Sequence, residues 1–348
     1  MVPLVDLSRR GHRLAAEFGA TAARIAASGS ILLGPETSAF EQEFAAWLDV
    51  PHAVAVSSGA SAIQLALAGI GVGPGDEVIV PAFTAVPTAS AVCALGAVPV
   101  PVDVRADTGA LDLSLIEASR TSRTKAVIVV HLYGRRAQTP VTDLAVLEDA
   151  AQAHGAVLNA NGSAAAIYSF YPTKNLGGIG DGGAVVTNDE SLAALVRQLR
   201  VHGMSELYVH QYVSQNFRMS ELEAAWLRHS LPSVREGNLR RGEIAQRYRQ
   251  AAPHLAWHPD DDHHVYHQCV FRSTQRDAIR ADLSELDVAT GVHYPLALTQ
   301  QPGYRQFTRR ACPQAEAWAA ECISVPCFPE LTDTEVDLVA NALAKVGS

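Results

Sequence analysis

Residues 52–104 read HAVAVSSGASAIQLALAGIGVGPGDEVIVPAFTAVPTASAVCALGAVPVPVDV, and they alternate short β-branched runs with Ala/Leu-rich segments. Four runs are typical of buried strands in a largely parallel sheet: HAVAV, EVIVP, VPVPVDV and, further along the chain, KAVIVVHLYG. The intervening stretches SAIQLALAGIG and TASAVCALG are typical of helices, and the first closes with glycine. Repeated strand–helix–strand units imply right-handed crossovers with helices on both faces of the sheet. The sequence therefore predicts an α/β fold.

A polar helical run at residues 231–250, LPSVREGNLRRGEIAQRYRQ, interrupts this pattern. We interpret it as the linker into a smaller C-terminal domain, which contains short strands and a final helix at residues 332–346. The Thr/Asp start of that helix is typical of an N-cap. We expect a large domain over residues 1–235 and a small domain over residues 236–348.

Composition and charge exclude several classes of protein. The 348 residues are 48% hydrophobic and 18% charged, which is the balance of a folded enzyme rather than a disordered chain. The net charge of −9, with no basic block, gives little support for nucleic-acid binding. No apolar run is long enough for a membrane span, and the N-terminus lacks the apolar core of a signal peptide. The five cysteines are scattered, so we expect reduced thiols and a cytoplasmic protein.

Lys174 is the first candidate for chemistry, within SFYPTKNLGGIGDGGAVVT at residues 169–187. It lies between a Tyr-Pro-Thr turn and a run of glycines. A nucleophilic lysine needs a rigid position, with backbone that can approach a ligand closely. Because free lysine has a pKa of about 10.4, it also needs desolvation or a neighbouring positive charge. On these residues alone, Lys174 is either such a nucleophile or a surface lysine beside a glycine turn.

A second motif, LAVLEDAAQAHGA at residues 144–156, ends an apolar run in Glu148 and Asp149. A carboxylate at the end of a strand can keep a cofactor's pyridine nitrogen protonated, which makes the ring an electron sink. Gln152 follows three residues after Asp149 and is placed to bind the same ligand. The alternative is an acidic pair that caps a helix.

A third motif, AVSSGASAIQLAL, places a Ser-Ser-Gly turn at the N-terminus of a predicted helix. Free backbone N–H groups and the helix dipole make such a turn a natural phosphate site, although many strand-to-helix loops look like this one. The order of the three motifs carries more weight than any one of them. A phosphate cradle, an acidic strand end and a lysine in a glycine turn each stand at a strand-to-loop boundary, where α/β folds bind ligands.

The chain resembles the sugar aminotransferases of the DegT/StrS group, which are fold-type I enzymes dependent on pyridoxal 5′-phosphate (PLP). The resemblance runs from ILLGPETSAFEQEFAAWL through QNFRMSELEAAWLR to GVHYP, and is strongest in EDAAQAHGA and SFYPTKNLGGIGDGGAVVTND. It implies a large domain with a mainly parallel seven-stranded sheet flanked by helices, and a smaller α+β C-terminal domain.

The resemblance also implies roles for individual residues. Lys174 would carry PLP as a Schiff base and then move a proton as acid and base. Asp149 would pair with the pyridine nitrogen and Gln152 with the ring hydroxyl. The cofactor-binding set would be completed by the phosphate ligands Ser169, Gly59 and Ala60, by Ala85 beside the ring, and by Asn216.

Asn216 would reach the phosphate from the partner subunit, which implies a homodimer with shared active sites. Four further residues are candidate substrate contacts: His202, Arg218, His293 and Tyr294. For His202 and Arg218, structural hydrogen bonding is an equally open interpretation.

The sequence departs from the family pattern at several positions. Ala60 replaces a usual threonine, and Ala85 occupies the position of an aromatic residue that stacks on the ring, an interaction worth roughly 0.5–1.5 kcal/mol. Ser214 and Gln215 replace the common Gly-Tyr, and Thr299 replaces a usual histidine. Because these positions lie toward the sugar side, they leave the substrate more open than the cofactor.

The resemblance implies transamination in two halves, with an amino donor, L-glutamate, and a nucleotide-linked keto-sugar as the acceptor. Two alternatives remain: an aminotransferase acting on a cyclitol ketone of the deoxy-inosose type, and a PLP-binding regulator without turnover. A dehydratase is disfavoured, since relatives of that kind replace the equivalent of Lys174 with histidine.

Two clusters have a simpler explanation than ligand binding. The histidines at 263, 264 and 267 lack a carboxylate or cysteine to complete a metal site, so no metal is expected. The arginines at 240, 241, 247 and 249 are expected on a solvated helix face rather than in a phosphate-binding patch.

Overall fold

A seven-stranded sheet forms the centre of the N-terminal part in this computed structural model, which describes residues 1–156 and 162–347. Its strands are β1 (His52–Val56), β2 (Glu77–Pro81), β3 (Val98–Val102), β4 (Thr124–Val130), β5 (Ala145–Asp149), β6 (Ala165–Ser169) and β7 (Gly183–Thr187). Their order is β1-β7-β6-β5-β4-β2-β3. Only the pairings of β7 with β1 and β6 are antiparallel, so the prediction of a mainly parallel sheet is confirmed.

Helices cover both faces of this sheet. They are α1 (Leu7–Ser28), α2 (Pro35–Leu48), α3 (Gly59–Gly69), α4 (Pro87–Ala94), α5 (Ile116–Ser119), α6 (Glu190–Leu199) and α7 (Glu221–Ser230). The strands are apolar and buried on both sides, as parallel strands between helix layers must be. On one face Ile63 and Leu67 of α3 pack on the sheet. On the other, Phe44 of α2 packs edge-to-face on Tyr168 and Phe170, with ring centroids 5.1 and 5.3 Å apart.

After α6 the chain forms a two-stranded antiparallel ribbon of β8 (Met204–Glu206) and β9 (Val209–His210). A three-stranded antiparallel sheet, with its strands in chain order, forms the C-terminal part. Its elements are α8 (Val234–Ala251), β10 (Ala256–Trp257), β11 (Cys269–Arg272), α9 (Arg276–Glu285), α10 (Pro313–Glu321), β12 (Cys322–Val325) and α11 (Asp333–Leu343). A capping box between Thr332 and Glu335 begins α11, in agreement with the predicted N-cap. The domain boundary between residues 235 and 236 stays a prediction. Within the described ranges, none of the helices is long and apolar enough to cross a membrane.

The prediction of a solvated arginine face on α8 is wrong for Arg241. Its side chain is buried and donates to the backbone carbonyls of Tyr266 and Cys327. By contrast, Arg247 is exposed and pairs with Asp337. The difference follows from the packing of α8 on the C-terminal core, which turns one arginine of the run inward and leaves backbone oxygens as its partners.

Two buried carboxylates of α7 hold neighbouring loops in place. Glu221 accepts hydrogen bonds from the N–H groups of Gly34, Glu36 and Thr37 at 2.9, 2.7 and 2.9 Å, and so satisfies the N-terminus of α2. Glu223 accepts from the N–H of Gly180, at 2.8 Å, in the glycine run that follows Lys174. Helix α7 therefore anchors both α2 and the lysine loop.

The fit between Glu223 and the glycine run is close. A Cβ at Gly178 would collide with the Glu223 carboxylate, so only glycine allows this approach. Burial raises the pKa of Glu223, the N–H groups of Gly180 and Ile179 oppose the rise, and the nearby Asp181 adds to it, which leaves the pKa at about 7. The carboxyl is held in a place where its charge is costly.

This cost predicts a pH-dependent stability. In the unfolded chain Glu223 ionises near its ordinary pKa of 4.5, and in the folded protein near 7. The unfolded state therefore loses its proton first, and the free energy of unfolding falls as pH rises between these values, by at most about 3 kcal/mol. We expect Glu223→Gln to flatten the decline in melting temperature between about pH 5 and about pH 8.

The matched control is Glu236→Gln, which changes an exposed acid on α8 and should keep the wild-type slope. Equal slopes for Glu223→Gln and the wild type would contradict the buried-acid explanation.

Candidate active site

The predicted site residues gather where strands end. β5 ends at Asp149, and its parallel neighbour β6 ends at Ser169. β1 ends at Val56, directly before the Ser-Ser-Gly turn that begins α3 at Gly59. Carboxyl ends of parallel strands meet at one edge of a sheet, which is where α/β folds bind ligands.

Lys174 closes a tight turn at this edge. Its backbone N–H donates to the carbonyl of Tyr171 at 2.8 Å, and the N–H of Gly178 donates to Phe170 at 2.7 Å. Gly177 has no room for a Cβ, which would collide with the carbonyl of Pro172. The glycine run thus fixes the backbone on which the lysine stands, as a nucleophile requires.

The electrostatics of Lys174 suit a nucleophile. Burial lowers the pKa of its amine to about 8, and the Asp149 carboxylate acts in the opposite direction. At neutral to mildly alkaline pH a sizeable fraction of the amine is therefore unprotonated, which free lysine at about 10.4 does not offer. Lys174 is not a surface lysine beside a turn.

Asp149 lies buried at the end of β5. Its two oxygens accept from the hydroxyl of Thr88 at 2.9 Å and from the N–H of Ala151 at 3.1 Å. Burial raises the pKa of Asp149, while these two hydrogen bonds and the charge of Lys174 lower it. Thr88 also shares a hydrogen bond of 3.0 Å with Thr84. A carboxylate oriented this way can hold a protonated pyridine nitrogen.

Sequence reasoning missed Thr88. Its position in the loop and first turn of α4, four residues after Thr84, is the only local signal for it. Ala85 lies on the same loop and is partly exposed. The aromatic side chain of this loop, Phe83, is buried and packs on Trp318 with ring centroids 5.9 Å apart.

A phosphate cradle is formed at the N-terminus of α3. The Ser58 hydroxyl caps the helix by accepting from the N–H of Ser61 at 3.1 Å, so Gly59 and Ala60 supply N–H groups of the first turn. A Cβ at Gly59 would lie only 2.7 Å from the Cβ of Ser169, which places the end of β6 against this turn. A helix N-terminus beside a serine hydroxyl fits the phosphate of PLP.

Gln152 is held by two hydrogen bonds. Its Oε1 accepts from the N–H of Tyr133 at 2.6 Å, and its Nε2 donates to the hydroxyl of Tyr294 at 2.8 Å. His293 Nδ1 is 2.8 Å from the hydroxyl of Ser324. The bond to Gln152 brings Tyr294 to the site. His293 lies near Lys174, because burial and the charge of that lysine lower the pKa of its imidazole. Contact of either residue with substrate stays a prediction. Tyr133 was missed by sequence reasoning.

Asn216 lies on the surface of a single chain, and so do the candidate substrate contacts His202 and Arg218. Asn216 is exposed, and its amide oxygen accepts from Arg218 Nε at 2.8 Å. His202 is exposed, and its backbone N–H donates to Gln215 at 3.0 Å. Within a single chain, these three residues therefore belong to one surface segment and make no described hydrogen bond to Lys174.

Of the three histidines for which ordinary structural roles were expected, His264 has a clear packing contact. His264 is buried and stacks on Tyr266 with ring centroids 4.0 Å apart. Across residues 1–156 and 162–347 there is no group of three or more His, Cys, Asp or Glu side chains suited to a metal ion.

Comparison with known proteins agrees with this geometry. The chain is 41% identical over 361 residues to a dTDP-3-amino-3,4,6-trideoxy-alpha-D-glucose transaminase of Streptomyces venezuelae, with 98% of this chain and 95% of that protein covered. It is 38% identical to a protein of Geobacillus stearothermophilus named a pleiotropic regulatory protein, with 99% and 98% covered. The structure of S. venezuelae DesV in complex with a ketimine intermediate superposes with a TM-score of 0.93 at 39% identity, covering 99% of this chain and 98% of that one.

A family model described as the DegT/DnrJ/EryC1/StrS aminotransferase family matches residues 12–344. That range contains the lysine turn, the acidic strand end and the phosphate cradle, and it spans nearly the whole chain. The chain belongs to the DegT/DnrJ/EryC1/StrS aminotransferase family.

Proposed function

We propose that this enzyme moves an amino group from an amino-acid donor, L-glutamate, to a nucleotide-linked keto-sugar in amino-deoxysugar biosynthesis, with PLP bound at Lys174. One observation carries the proposal: at the carboxyl edge of the sheet, an amine with a pKa lowered to about 8 and a buried carboxylate lie close enough for each charge to act on the other's pKa. The space around Lys174 and Asp149 is the crevice in which the cofactor would bind. Such a pair serves a cofactor that needs a nucleophilic amine at one end and a negative charge at the other.

Each residue of the crevice has a separate task. PLP, when bound, supplies the ring that withdraws electrons from the substrate carbon. Asp149 holds a proton on the ring nitrogen, and Thr88 orients Asp149. Ser169 and the first turn of α3 hold the phosphate. Lys174 binds the cofactor and then, as a free amine, moves a proton to and from the substrate carbon.

The sugar class is supported by the relatives. The S. venezuelae transaminase is named for a dTDP-linked amino sugar at 41% identity, with nearly full coverage of both chains. The nucleoside diphosphate of such a sugar is anionic, and the chain carries a net charge of −9. Binding of the nucleotide sugar therefore needs a local positive group on the protein. Arg218, on the exposed segment with Asn216, is one such group. Scattered free cysteines support a cytoplasmic enzyme.

A regulator without turnover is the second candidate. The name of the Geobacillus relative and the alanine at position 85 favour it. A regulator would bind PLP and ligand but complete neither half of the reaction. Assays of both half-reactions on the purified protein therefore distinguish the two functions.

The first test replaces Lys174 with alanine. We expect the wild type, loaded with PLP, to consume L-glutamate and aminate a member of a panel of dTDP- and UDP-linked keto-sugars. Lys174→Ala should lose the Schiff-base absorption band, and its turnover should fall by at least about a thousandfold, since nucleophile and proton carrier disappear together. The measurement is absorption spectroscopy combined with chromatography of the amino-sugar product.

Lys125→Ala, at an exposed lysine on β4, is the matched control and should retain both band and product. An active Lys174→Ala protein would refute the proposal. A wild type that forms the band but performs neither half-reaction with glutamate or any sugar of the panel would favour the regulator.

We infer also that the enzyme is a homodimer with shared active sites. The segment that carries Asn216 exposes an unusual number of large apolar side chains: Leu207, Tyr208, Val209, Tyr212 and Val213. A concentration of apolar surface in one segment marks an interaction surface. Since Asn216 lies in the same segment, a second copy that covers it receives Asn216 at its own cofactor site.

Mixed dimers test this arrangement. Asn216→Ala and Lys174→Ala should each have low activity, but hybrids of the two contain one site with both residues intact. Random mixing makes about half the dimers hybrid, so activity should recover to about a quarter of the wild-type value. The measurement is turnover after mixed refolding or co-expression.

Mixing Lys174→Ala with the double variant Lys174→Ala/Asn216→Ala is the control, and should recover nothing. If the hybrid preparation has only the summed activity of its two parents, the sites are not shared through Asn216.

A further inference from the structure

The amide of Gln152 is fixed in one orientation by its surroundings. Its Oε1 faces the backbone N–H of Tyr133 at 2.6 Å, which is a donor and accepts nothing. Rotating the amide by half a turn would place an NH₂ group against that N–H. The chemistry of the partners therefore assigns Oε1 and Nε2, with Nε2 toward the hydroxyl of Tyr294 at 2.8 Å.

The Tyr133 N–H owes its direction to an uncommon backbone conformation. Tyr133 has a φ of 60°, in the left-handed region that non-glycine residues seldom adopt. Its ring is completely buried, which holds the residue in that conformation. The uncommon backbone turn aims the N–H at Gln152.

Tyr294, in the C-terminal part of the chain, is the second residue that fixes the Gln152 amide. Burial raises the pKa of its phenol, and the Asp149 carboxylate adds to this effect, so the hydroxyl stays neutral. A neutral hydroxyl can accept from Gln152 while keeping its own proton. The adjacent residue is tied down as well, because the Tyr133 hydroxyl donates to the carbonyl of His293. Two hydrogen bonds thus join residues 293–294 to the PLP side of the crevice.

We propose that Tyr294 is a positioning residue that acts through Gln152. It takes one amide hydrogen of Nε2 and leaves the other to bind the ring oxygen of PLP. This inference rests on the proposed function, since it needs PLP at Lys174, and it gives Tyr294 a role other than substrate contact. Because Tyr294 comes from the C-terminal part, the position of that part relative to β5 sets the properties of the bound cofactor.

The consequence is a defined shift in a measurable pKa. A donor to the ring oxygen stabilises negative charge there and weakens its hold on the proton that the Lys174 nitrogen shares with it. Removing the Tyr294 hydroxyl releases the Gln152 amide and weakens that donor. The pH midpoint of the absorption change of the PLP-loaded enzyme should therefore rise, by about 0.5 to 1 unit for one neutral hydrogen bond.

The test is a pH titration of the absorption of PLP-loaded wild type, Tyr294→Phe, Gln152→Leu and the double variant. Tyr294→Phe should raise the midpoint, and Gln152→Leu should raise it at least as far. The double variant should match Gln152→Leu, because the tyrosine acts only through the amide. Tyr304→Phe, which removes a hydroxyl from a partly buried tyrosine outside the crevice, should leave the midpoint at the wild-type value.

Two results would overturn the role of Tyr294 alone: an unchanged midpoint in Tyr294→Phe, or shifts that add in full in the double variant. Absence of a PLP absorption band in the wild type would overturn the proposed function together with this inference. If Gln152→Leu fails to fold, Gln152→Met serves in its place, since methionine keeps the length of the side chain and removes the amide hydrogens without adding a charge.

Discussion

Burial acts in opposite directions on the two groups at the centre of this crevice. It lowers the pKa of the Lys174 amine and raises that of the Asp149 carboxyl, because both charged forms lose water. Each charge then limits the shift of the other. The result is an amine available for bond formation and a carboxylate that needs a cationic partner. PLP, when bound, would meet both requirements, since its aldehyde would react with the Lys174 amine and its protonated ring nitrogen would pair with the Asp149 carboxylate.

The surrounding secondary-structure elements hold the site residues in fixed positions. The parallel pairing of β5 with β6 brings Asp149 and Ser169 to one edge of the sheet. Glu223 of α7 accepts a hydrogen bond from the glycine run after Lys174. Gln152 donates a hydrogen bond to Tyr294 of the C-terminal part. The site is thus supported by helix α7, the large sheet and the C-terminal part together.

Much of the fold and part of the site could be predicted from the sequence, because they depend on local patterns of residues. Alternating β-branched runs predicted β1 to β4, and an apolar run ending in Asp149 predicted the acidic strand end. Thr88 escaped prediction because its partner Asp149 is 61 residues away, and nothing near Thr88 signals the bond.

Other contacts escaped for related reasons. Tyr133 acts through its backbone N–H, which carries no side-chain signature, and Glu223 lies in a helix whose acids look solvated in sequence. Arg241 was assigned to solvent, since the periodicity of a polar helix does not reveal where the second core packs. Among the candidate substrate contacts, His202 and Arg218 stay least determined, because their segment lies on the surface of a single chain.

The central claim is that Asp149 keeps the cofactor's ring nitrogen protonated, and it can be measured directly. The enzyme would be loaded with PLP labelled with ¹⁵N in the ring, and its nitrogen chemical shift recorded from about pH 6 to about pH 9. We predict the shift of a protonated pyridine throughout this range in the wild type, and that of a neutral pyridine in Asp149→Asn. A neutral ring nitrogen in the wild type, or a protonated one in Asp149→Asn, would contradict the account.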